Sequence, residues 1–358
     1  MGGADPEGAD TARRVGFAIT KSGHMKTSFR VMALAAVLAC GVSAQVDPFA
    51  QTARMSRGVN IIGYDPMWDD FTKARVHEKH FRLIREAGFR TIRLNLMAFD
   101  HMDDQNRIAP EWLKTLDWVV KNALANDLIV ILDEHDYGFC ATHADACETK
   151  LLAFWEQVAG IYKDAPDSVL FEILNEPYGQ LSEARWNDLL KKALAVIRKT
   201  NPTRNVVIGA GAWNSPLPYY LKKLELPADD RHIIATVHYY NPMSFTHQGA
   251  SWSPMTAKLS GITWGTDAEK QTVVRSFAAI QRWAFTQDRP ILLGEFGAYE
   301  KGAMDSRAAY TSWVARTAES FGWAWTYFEF DINFNVWDME KDAWVEPIRN
   351  ALIPSVKH

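Results

Sequence analysis

Residues 128–135 read LIVILDEH, an apolar run that ends abruptly in three polar residues. An unbroken apolar run such as 128–132 is typical of a parallel strand that is covered on both faces. The apolar periodicity predicts an amphipathic helix before this strand, over 110–126 with a proline at its start, and another after it, over 149–163. The stretch therefore indicates an α/β protein in which strands and helices alternate.

The same alternation extends outward in both directions from about residue 55. Strands are predicted at 56–63, 89–96, 128–132, 168–174, 205–209, 233–237, 290–293 and 323–328. Helices are predicted at 73–87, 110–126, 149–163, 217–223, 268–287, 306–320 and 345–352. One more helix is predicted to begin after Ser182, which could cap it. This pattern predicts a single-domain (β/α)8 TIM barrel. An open doubly wound sheet is the alternative, but residues 62–66, IGYDP, lack its Gly-rich phosphate turn.

The composition is that of an ordinary soluble protein with many aromatic residues. The chain has 358 residues, is 47% hydrophobic and 23% charged, and carries a formal net charge of −4. These values exclude a disordered chain, a collagen and a disulfide mini-protein, and they give no sign of nucleic-acid binding. The 14 Trp, 11 Tyr and 18 Phe residues either fill a large core or line a cleft for flat ligands such as sugars.

The first 54 residues follow a different pattern. Residues 1–24 are polar, and we interpret them as an upstream extension that is not native. Two basic residues, an apolar run and a small-residue cleavage site give residues 25–44 the layout of a secretory signal peptide. Residues 45–54 are predicted to be a short linker before the barrel domain, 55–358. We therefore expect a secreted or periplasmic protein; lipoprotein processing at Cys40 is the alternative, although Leu38 fits that motif poorly.

Cys140 and Cys147 fall in one predicted loop after the third strand. An exported protein can keep a disulfide, so we expect the two residues to pair. Two free thiols are the alternative, because the sequence does not give the distance between the Cα atoms.

Polar residues occupy the ends of the predicted strands. Functional residues of TIM barrels cluster at the C-terminal ends of the strands, where buried charge is otherwise unfavourable unless it is paired. In chain order these residues are Arg93, Asn95, His135, Asn175, Glu176, His238, Tyr240 and Glu295. Any one of them could be structural, but five strand ends with such groups are hard to explain by packing.

Glu176 and Glu295 are the candidate catalytic pair. Glycoside hydrolysis requires two carboxyl groups across a cleft, one protonated to assist the leaving group and one ionised. Taken alone, Glu176 could be a capped loop carboxylate and Glu295 could form a buried ion pair with Arg93. The two together are a much more specific signal. The sequence has neither an HExxH motif nor a paired-cysteine knuckle, so we expect no metal and no cofactor.

Six segments over residues 56–354 resemble glycoside hydrolase family 5, the large cellulase family of clan A. They read RGVN at 57–60, GFRTIR at 88–93, LDEH at 132–135, ILNEP at 173–177, HYY at 238–240 and LGEFG at 293–297. The resemblance implies that Glu176 is the acid/base and Glu295 the nucleophile. It also implies that Asn175 binds the sugar 2-hydroxyl, that Arg93 and Tyr240 orient Glu295, and that His135 and His238 line the same subsite.

One departure from the family pattern concerns the last strand. The family usually has a tryptophan there as the floor under the cleaved sugar, whereas this chain has Phe328. Phenylalanine offers a smaller stacking face, and Trp325 is the alternative platform if the strand register is different. Trp68, Trp213 and Trp264 lie in or near loops on the same side, and they either stack on other sugar units or pack structurally.

The leading interpretation is a retaining endo-β-1,4-glucanase that acts on β-glucan polysaccharides or oligosaccharides as a monomer. A β-mannanase, a mixed-linkage glucanase or, less favoured, an exo-acting β-glucosidase could use the same scaffold. A non-catalytic carbohydrate-binding barrel is the alternative from a different class. That alternative usually lacks one of the glutamates, and this chain has both.

Overall fold

A computed structural model describes residues 46–354. The predicted extension at 1–24, the signal peptide at 25–44 and the lipoprotein site at Cys40 lie outside the described residues. Among residues 46–354, no helix is both long enough and apolar enough to span a bilayer.

Eight parallel strands form a closed barrel, and β1 pairs with both β2 and β8. This closure confirms the TIM barrel and excludes an open doubly wound sheet. The strands are β1 (Arg57–Ile61), β2 (Thr91–Leu96), β3 (Ile129–Glu134), β4 (Val169–Glu172), β5 (Val206–Gly209), β6 (Ile233–His238), β7 (Ile291–Glu295) and β8 (Ala324–Tyr327). A two-stranded hairpin of β9 (Trp337–Asp338) and β10 (Ala343–Trp344), which the sequence pattern did not predict, follows the barrel.

Within residues 46–354, the eight predicted helices occur in the predicted order, together with four short helices that were not predicted. The helices are α1 (Pro48–Met55), α2 (Glu78–Ala87), α3 (Pro110–Ala125), α4 (Tyr137–Thr142), α5 (Ala144–Ile161), α6 (Glu183–Arg198), α7 (Gly211–Asn214), α8 (Pro218–Leu221), α9 (Met243–Thr246), α10 (Asp267–Gln287), α11 (Met304–Ser320) and α12 (Glu346–Leu352). Those that were not predicted are α1, α4, α7 and α9. Helix α2 begins later than predicted because the buried Asp65 carboxylate accepts hydrogen bonds from the N–H groups of Arg75 and Val76. It ends at Gly88, as predicted, in a left-handed C-cap.

Residues 48–54, predicted to lie in a linker, instead belong to helix α1. The Asp47 side chain caps the helix by accepting hydrogen bonds from the N–H groups of Phe49 and Ala50. The Met55 side chain belongs to the apolar cluster inside the barrel, and the Met55 carbonyl accepts a hydrogen bond from Thr91 on β2. The linker prediction is therefore wrong. The helix has only eight residues, too few for a clear apolar periodicity.

The interior of the barrel has an apolar layer and a polar layer. Alternate strand residues point inward, and one set of them packs with Met55. This apolar set comprises Ile129, Ile131, Leu170, Val207, Ile234, Leu292 and Ala324. Nearer the C-terminal ends, the buried strand residues include Asn60, Arg93, Asn95, Asp133, Glu172, Thr236 and His238. The change from apolar to polar side chains marks the catalytic face of a TIM barrel.

Cys140 and Cys147, predicted to lie in one loop, instead lie on α4 and α5, because α5 begins at Ala144 and not at residue 149. A disulfide joins the two residues. Both residues are completely buried, and their Cα atoms lie 4.9 Å apart. The bridge therefore links the short helix that follows β3 to the long helix that packs outside the barrel.

The bridge predicts the thiol content of the purified protein. Unfolded, unreduced full-length chain should give one titratable thiol, from Cys40, and protein that begins after Ala44 should give none. Reduction should add two thiols in both cases. Three thiols in the unreduced full-length chain, or two in the shorter one, would refute the pairing.

Candidate active site

Arg93 lies at the centre of the polar layer and is completely buried. Its Nε and Nη2 donate hydrogen bonds to the two carboxylate oxygens of Glu172, at 2.7 and 2.9 Å. Its Nη1 donates to Glu295 Oε1 at 2.8 Å and to Asn60 Oδ1 at 2.8 Å. Burial opposes the charge of Arg93, but the neighbouring carboxylates outweigh burial and raise its pKa. The guanidinium is therefore a fixed positive charge beside Glu295.

Asn175 is held from two sides. Its side-chain oxygen accepts a hydrogen bond from Arg93 at 2.9 Å, and its side-chain nitrogen lies 3.3 Å from His135 Nε2. His135 Nδ1 in turn lies 2.6 Å from Asp133 Oδ2. Burial lowers the pKa of His135 to about 4, so its ring is neutral, with the proton on Nδ1. The Asn175 amide is thus fixed, and one N–H remains for a ligand.

Glu295 ends β7 and has two fixed donors. Besides Arg93, the Tyr240 hydroxyl donates a hydrogen bond to Glu295 Oε2 at 2.8 Å. Burial raises the pKa of Glu295, and Arg93 and Tyr240 only partly offset the effect. The loss of solvent around a fully enclosed carboxylate outweighs one cation that it shares with other carboxylates.

Glu176 follows β4 and has a positive φ of 43°. Its Oε1 lies 2.8 Å from His238 Nδ1, and its side chain is 14% exposed. Burial and the negative charge of Glu295 raise the pKa of Glu176 well above its ordinary value. Glu176 has no direct contact with Arg93 among the described residues, so the pair loses its first proton from Glu295 and Glu176 remains protonated.

Glu176, Glu295 and His238 lie close together. One carboxylate oxygen from each glutamate and one ring nitrogen of His238 lie within 4.8 Å of one another. Within residues 46–354 this is the one group of three such side chains spaced closely enough to share a metal ion. The hydrogen bond between His238 and Glu176 and those from Arg93 and Tyr240 to Glu295 hold the three side chains in place. Two facing carboxyl groups with different proton affinities can supply an acid and a nucleophile.

Phe328, rather than Trp325, has a partly exposed ring at the C-terminal end of β8. Trp325 is completely buried, meets Phe89 and Phe296 edge-on, and donates its indole N–H to Glu319. Phe328 follows β8 and is partly exposed. The alternative platform at Trp325 is therefore excluded by its burial outside the barrel.

Of the three other candidate tryptophans, only Trp213 has a free face. It is 52% exposed and stacks on Tyr178, with ring centroids 4.6 Å apart. Trp68 is 9% exposed, stacks on Trp112 and donates its N–H to the Ile62 carbonyl. Trp264 is 6% exposed and meets Tyr310 edge-on. The prediction that Trp68 and Trp264 stack on sugars is therefore wrong, because both rings pack into the protein.

Four residues at strand ends were missed in the sequence. Tyr64, Tyr137, Tyr178 and Glu329 each follow a barrel strand within a few residues. The Tyr137 ring meets His135 edge-on, with ring centroids 5.2 Å apart, and burial together with the charge of Glu176 raises the pKa of its hydroxyl. Glu329 is buried, and its Oε1 has no hydrogen-bond partner. The position of these residues at strand ends is the signal that could have identified them.

Comparisons with known proteins agree with this geometry. The model of the cellulase family, glycosyl hydrolase family 5, matches residues 48–333. Endoglucanase H of Acetivibrio thermocellus is 29% identical over 320 residues, which are 86% of this chain and 34% of that protein. Endoglucanase A of Clostridium longisporum is 30% identical over 293 residues, 76% of this chain and 54% of that protein. The chain thus spans between a third and about half of the length of these relatives.

Among solved structures, endoglucanase Cel5A of Thermotoga maritima superimposes with a TM-score of 0.81 at 36% identity, covering 86% of this chain and all of that one. Structures of that enzyme with cellobiose and with mannotriose match equally well, both at a TM-score of 0.81. The residues that the family model matches, 48–333, span all eight barrel strands and both glutamates. The chain therefore belongs to glycosyl hydrolase family 5, the cellulase family.

Proposed function

We propose that this protein is a retaining endo-β-1,4-glucanase that cleaves β-glucan chains by double displacement. The observation that carries the proposal is the pair Glu176 and Glu295, with an oxygen from each within 4.8 Å. Retaining glycosidases hold their carboxyl groups about 5–5.5 Å apart, whereas inverting enzymes need about 6.5–9.5 Å to admit a water molecule. The proposal is supported further by the endoglucanases among the relatives.

In the first step the protonated Glu176 gives its proton to the glycosidic oxygen while the carbon–oxygen bond breaks. Glu295 attacks the anomeric carbon from the opposite face and forms a glycosyl ester. In the second step the Glu176 carboxylate removes a proton from water, which attacks the same carbon and releases Glu295. Arg93 and Tyr240 hold Glu295 in place, and Asn175 has an N–H available for the sugar 2-hydroxyl.

A long substrate fits the distribution of exposed aromatic rings. Tyr64 follows β1 and Trp213 follows β5, and both rings are about half exposed. These strands lie on opposite sides of an eight-stranded barrel, so the two rings flank the site from opposite sides. We propose that they bind sugar units on either side of the cleavage point, with Phe328 beneath the cleaved unit. Binding on both sides favours cleavage within a chain over removal of terminal units.

A β-mannanase or a mixed-linkage glucanase remains the second candidate. The observation that favours it is the mannotriose complex of the similar T. maritima enzyme. Initial rates on carboxymethylcellulose, mixed-linkage glucan, mannan and xylan decide between these substrates. A non-catalytic barrel would hydrolyse none of them.

Replacement of each glutamate should have a different effect. Glu176→Ala removes the proton donor, so substrates with poor leaving groups should slow by about 10²–10⁴-fold, whereas formation of the glycosyl ester from activated aryl glycosides should slow little. Glu295→Ala removes the covalent step, and all substrates should fail. Added azide should give a β-glycosyl azide with Glu176→Ala and an α-glycosyl azide with Glu295→Ala. Equal losses on both substrate classes, or the same azide anomer from both variants, would contradict the assigned roles.

The hydrogen bond from Tyr240 predicts a shift in the pH profile. Tyr240→Phe removes a donor that stabilises ionised Glu295, so the pKa of Glu295 should rise. Because the nucleophile must be ionised, the acid limb of the kcat/KM profile should move to higher pH. A hydrogen bond to a charged group is worth roughly 1.5–3 kcal/mol, which corresponds to a shift of about one pH unit or more.

The matched control is Tyr239→Phe. Tyr239 is adjacent in sequence, but its ring packs against Phe277 outside the barrel. The control should leave both limbs in place. An unmoved acid limb in Tyr240→Phe, or one displaced to lower pH, would show that Tyr240 does not stabilise ionised Glu295.

A further inference from the structure

Three consecutive residues of the short segment α7 after β5 have left-handed backbone conformations, so this segment is a left-handed turn and not an ordinary α-helix. The φ values of Ala212, Trp213 and Asn214 are 56°, 62° and 50°. For residues other than glycine this conformation is unfavourable, because it brings the Cβ atom too close to the backbone. Such strain persists where the surrounding structure holds it, and it is common at functional sites. Here the turn directs Trp213 outward, where it stacks on Tyr178, and Asn214 inward, where it contacts His238.

The Asn214 side chain is fully buried, and its amide has one partner. Its Nδ2 lies 3.3 Å from His238 Nε2, and its Oδ1 has no hydrogen-bond partner. The Oδ1 lies against Gly209, where a Cβ would overlap it. Rotating the amide would instead place two N–H donors against this glycine, which offers them no side-chain acceptor. The observed orientation therefore presents an N–H donor to the imidazole.

This donor decides which nitrogen of His238 carries the proton. Burial, with a further contribution from Arg93, keeps the His238 ring neutral by lowering its pKa. A neutral imidazole has one N–H and one acceptor nitrogen. Because Nε2 faces the Asn214 donor, Nε2 is the acceptor and the proton lies on Nδ1. The Nδ1–H group then donates to Glu176 Oε1 at 2.8 Å.

The tautomer of His238 in turn determines where Glu176 can carry its own proton. Oε1 already accepts the hydrogen bond from His238, so the acid proton belongs on Oε2, which has no hydrogen-bond partner among the described residues. With the opposite tautomer, His238 Nδ1 would be an acceptor. Glu176 could then place its proton on Oε1 and donate it to the histidine, away from the substrate.

We propose that Asn214 is a positioning residue that fixes the tautomer of His238 and thereby keeps the acid proton of Glu176 on the oxygen that is free to face the substrate. This inference rests on the proposed glycosidase function. The proton on Oε2 passes to the glycosidic oxygen as the bond to the leaving group breaks. The resulting Glu176 carboxylate keeps its hydrogen bond from His238 Nδ1–H, ready to accept a proton from water in the second step.

The central test replaces Asn214 with aspartate. Asn214→Asp keeps the shape of the side chain but presents an acceptor to Nε2, which draws the ring proton there. We expect kcat/KM on substrates with poor leaving groups to fall by roughly 10²-fold or more, within the range typical of general acid catalysis. Rates of glycosyl-ester formation from dinitrophenyl glycosides, which need little proton assistance, should stay close to wild type.

Two further variants separate the amide from the strained turn. Glycine adopts a positive φ without strain, so Asn214→Gly keeps the turn and removes only the amide. Its loss should have the same dependence on the leaving group but be smaller, because both tautomers become accessible. Ser215 lies next in the chain, and its hydroxyl accepts a hydrogen bond from the Leu217 N–H. Ser215→Ala should leave the dependence on the leaving group unchanged.

¹⁵N NMR of histidine-labelled protein reads the tautomer without any substrate. Wild-type His238 should be protonated on Nδ1, and Asn214→Asp should move the proton to Nε2. A wild-type ring protonated on Nε2, or equal effects of Asn214→Asp on both substrate classes, would overturn the inference. Wild-type protein that hydrolyses no glycoside would refute the proposed function instead, while the NMR result would still decide the tautomer.

Discussion

The buried Arg93 guanidinium is the interaction on which the active site depends. Burying a charge is costly unless partners compensate it. Arg93 has carboxylate partners in Glu172 on β4 and Glu295 on β7. It also has amide partners in Asn60 on β1 and Asn175 after β4. The partners in turn depend on Arg93, because Glu172, Asp133 and Glu295 would otherwise be buried acids with no positive charge among them. One side chain thus connects several strands of the barrel to the proposed nucleophile.

The site has two sides with different requirements. On one side, Glu295 must be able to ionise, and Arg93 and Tyr240 supply a charge and a donor to its two oxygens. On the other side, Glu176 must keep its proton, and its contact among the described residues is the neutral His238 ring. The difference in pKa between two carboxyl groups that lie so close together follows from this unequal distribution of positive charge.

Much of this arrangement could be predicted from the sequence, because strands buried on both faces leave apolar runs and the polar residues that end them stand out. The eight strands, Glu176, Glu295, Arg93 and Tyr240 were found in this way. The orientation of a ring in a loop leaves no such pattern. Trp68 and Trp264 therefore could not be distinguished from Trp213, although only Trp213 has an exposed face.

Helix α1, the role of Asn214 and the pKa of Glu295 could not be predicted from sequence patterns, each for a different physical reason. Helix α1 is too short for its periodicity to be recognised, and its burial depends on the opening at the N-terminal end of the barrel. Asn214 could not be identified because asparagine tolerates a positive φ in many kinds of turn, and nothing in the sequence shows that Ala212 and Trp213 share this conformation. Its contact with His238 requires the absence of a side chain at Gly209, five residues earlier. The balance of burial against charge at Glu295 also depends on the distances in three dimensions.

The stereochemistry of hydrolysis tests the central claim, that Glu295 attacks the sugar while Glu176 donates the proton, most directly. ¹H NMR can follow the anomeric protons during the first minutes of cellooligosaccharide hydrolysis, before mutarotation. The account predicts that the β-anomer appears first and the α-anomer only later, as mutarotation proceeds. Initial appearance of the α-anomer would show that water attacks the substrate directly and would contradict the assignment of Glu295 as the nucleophile.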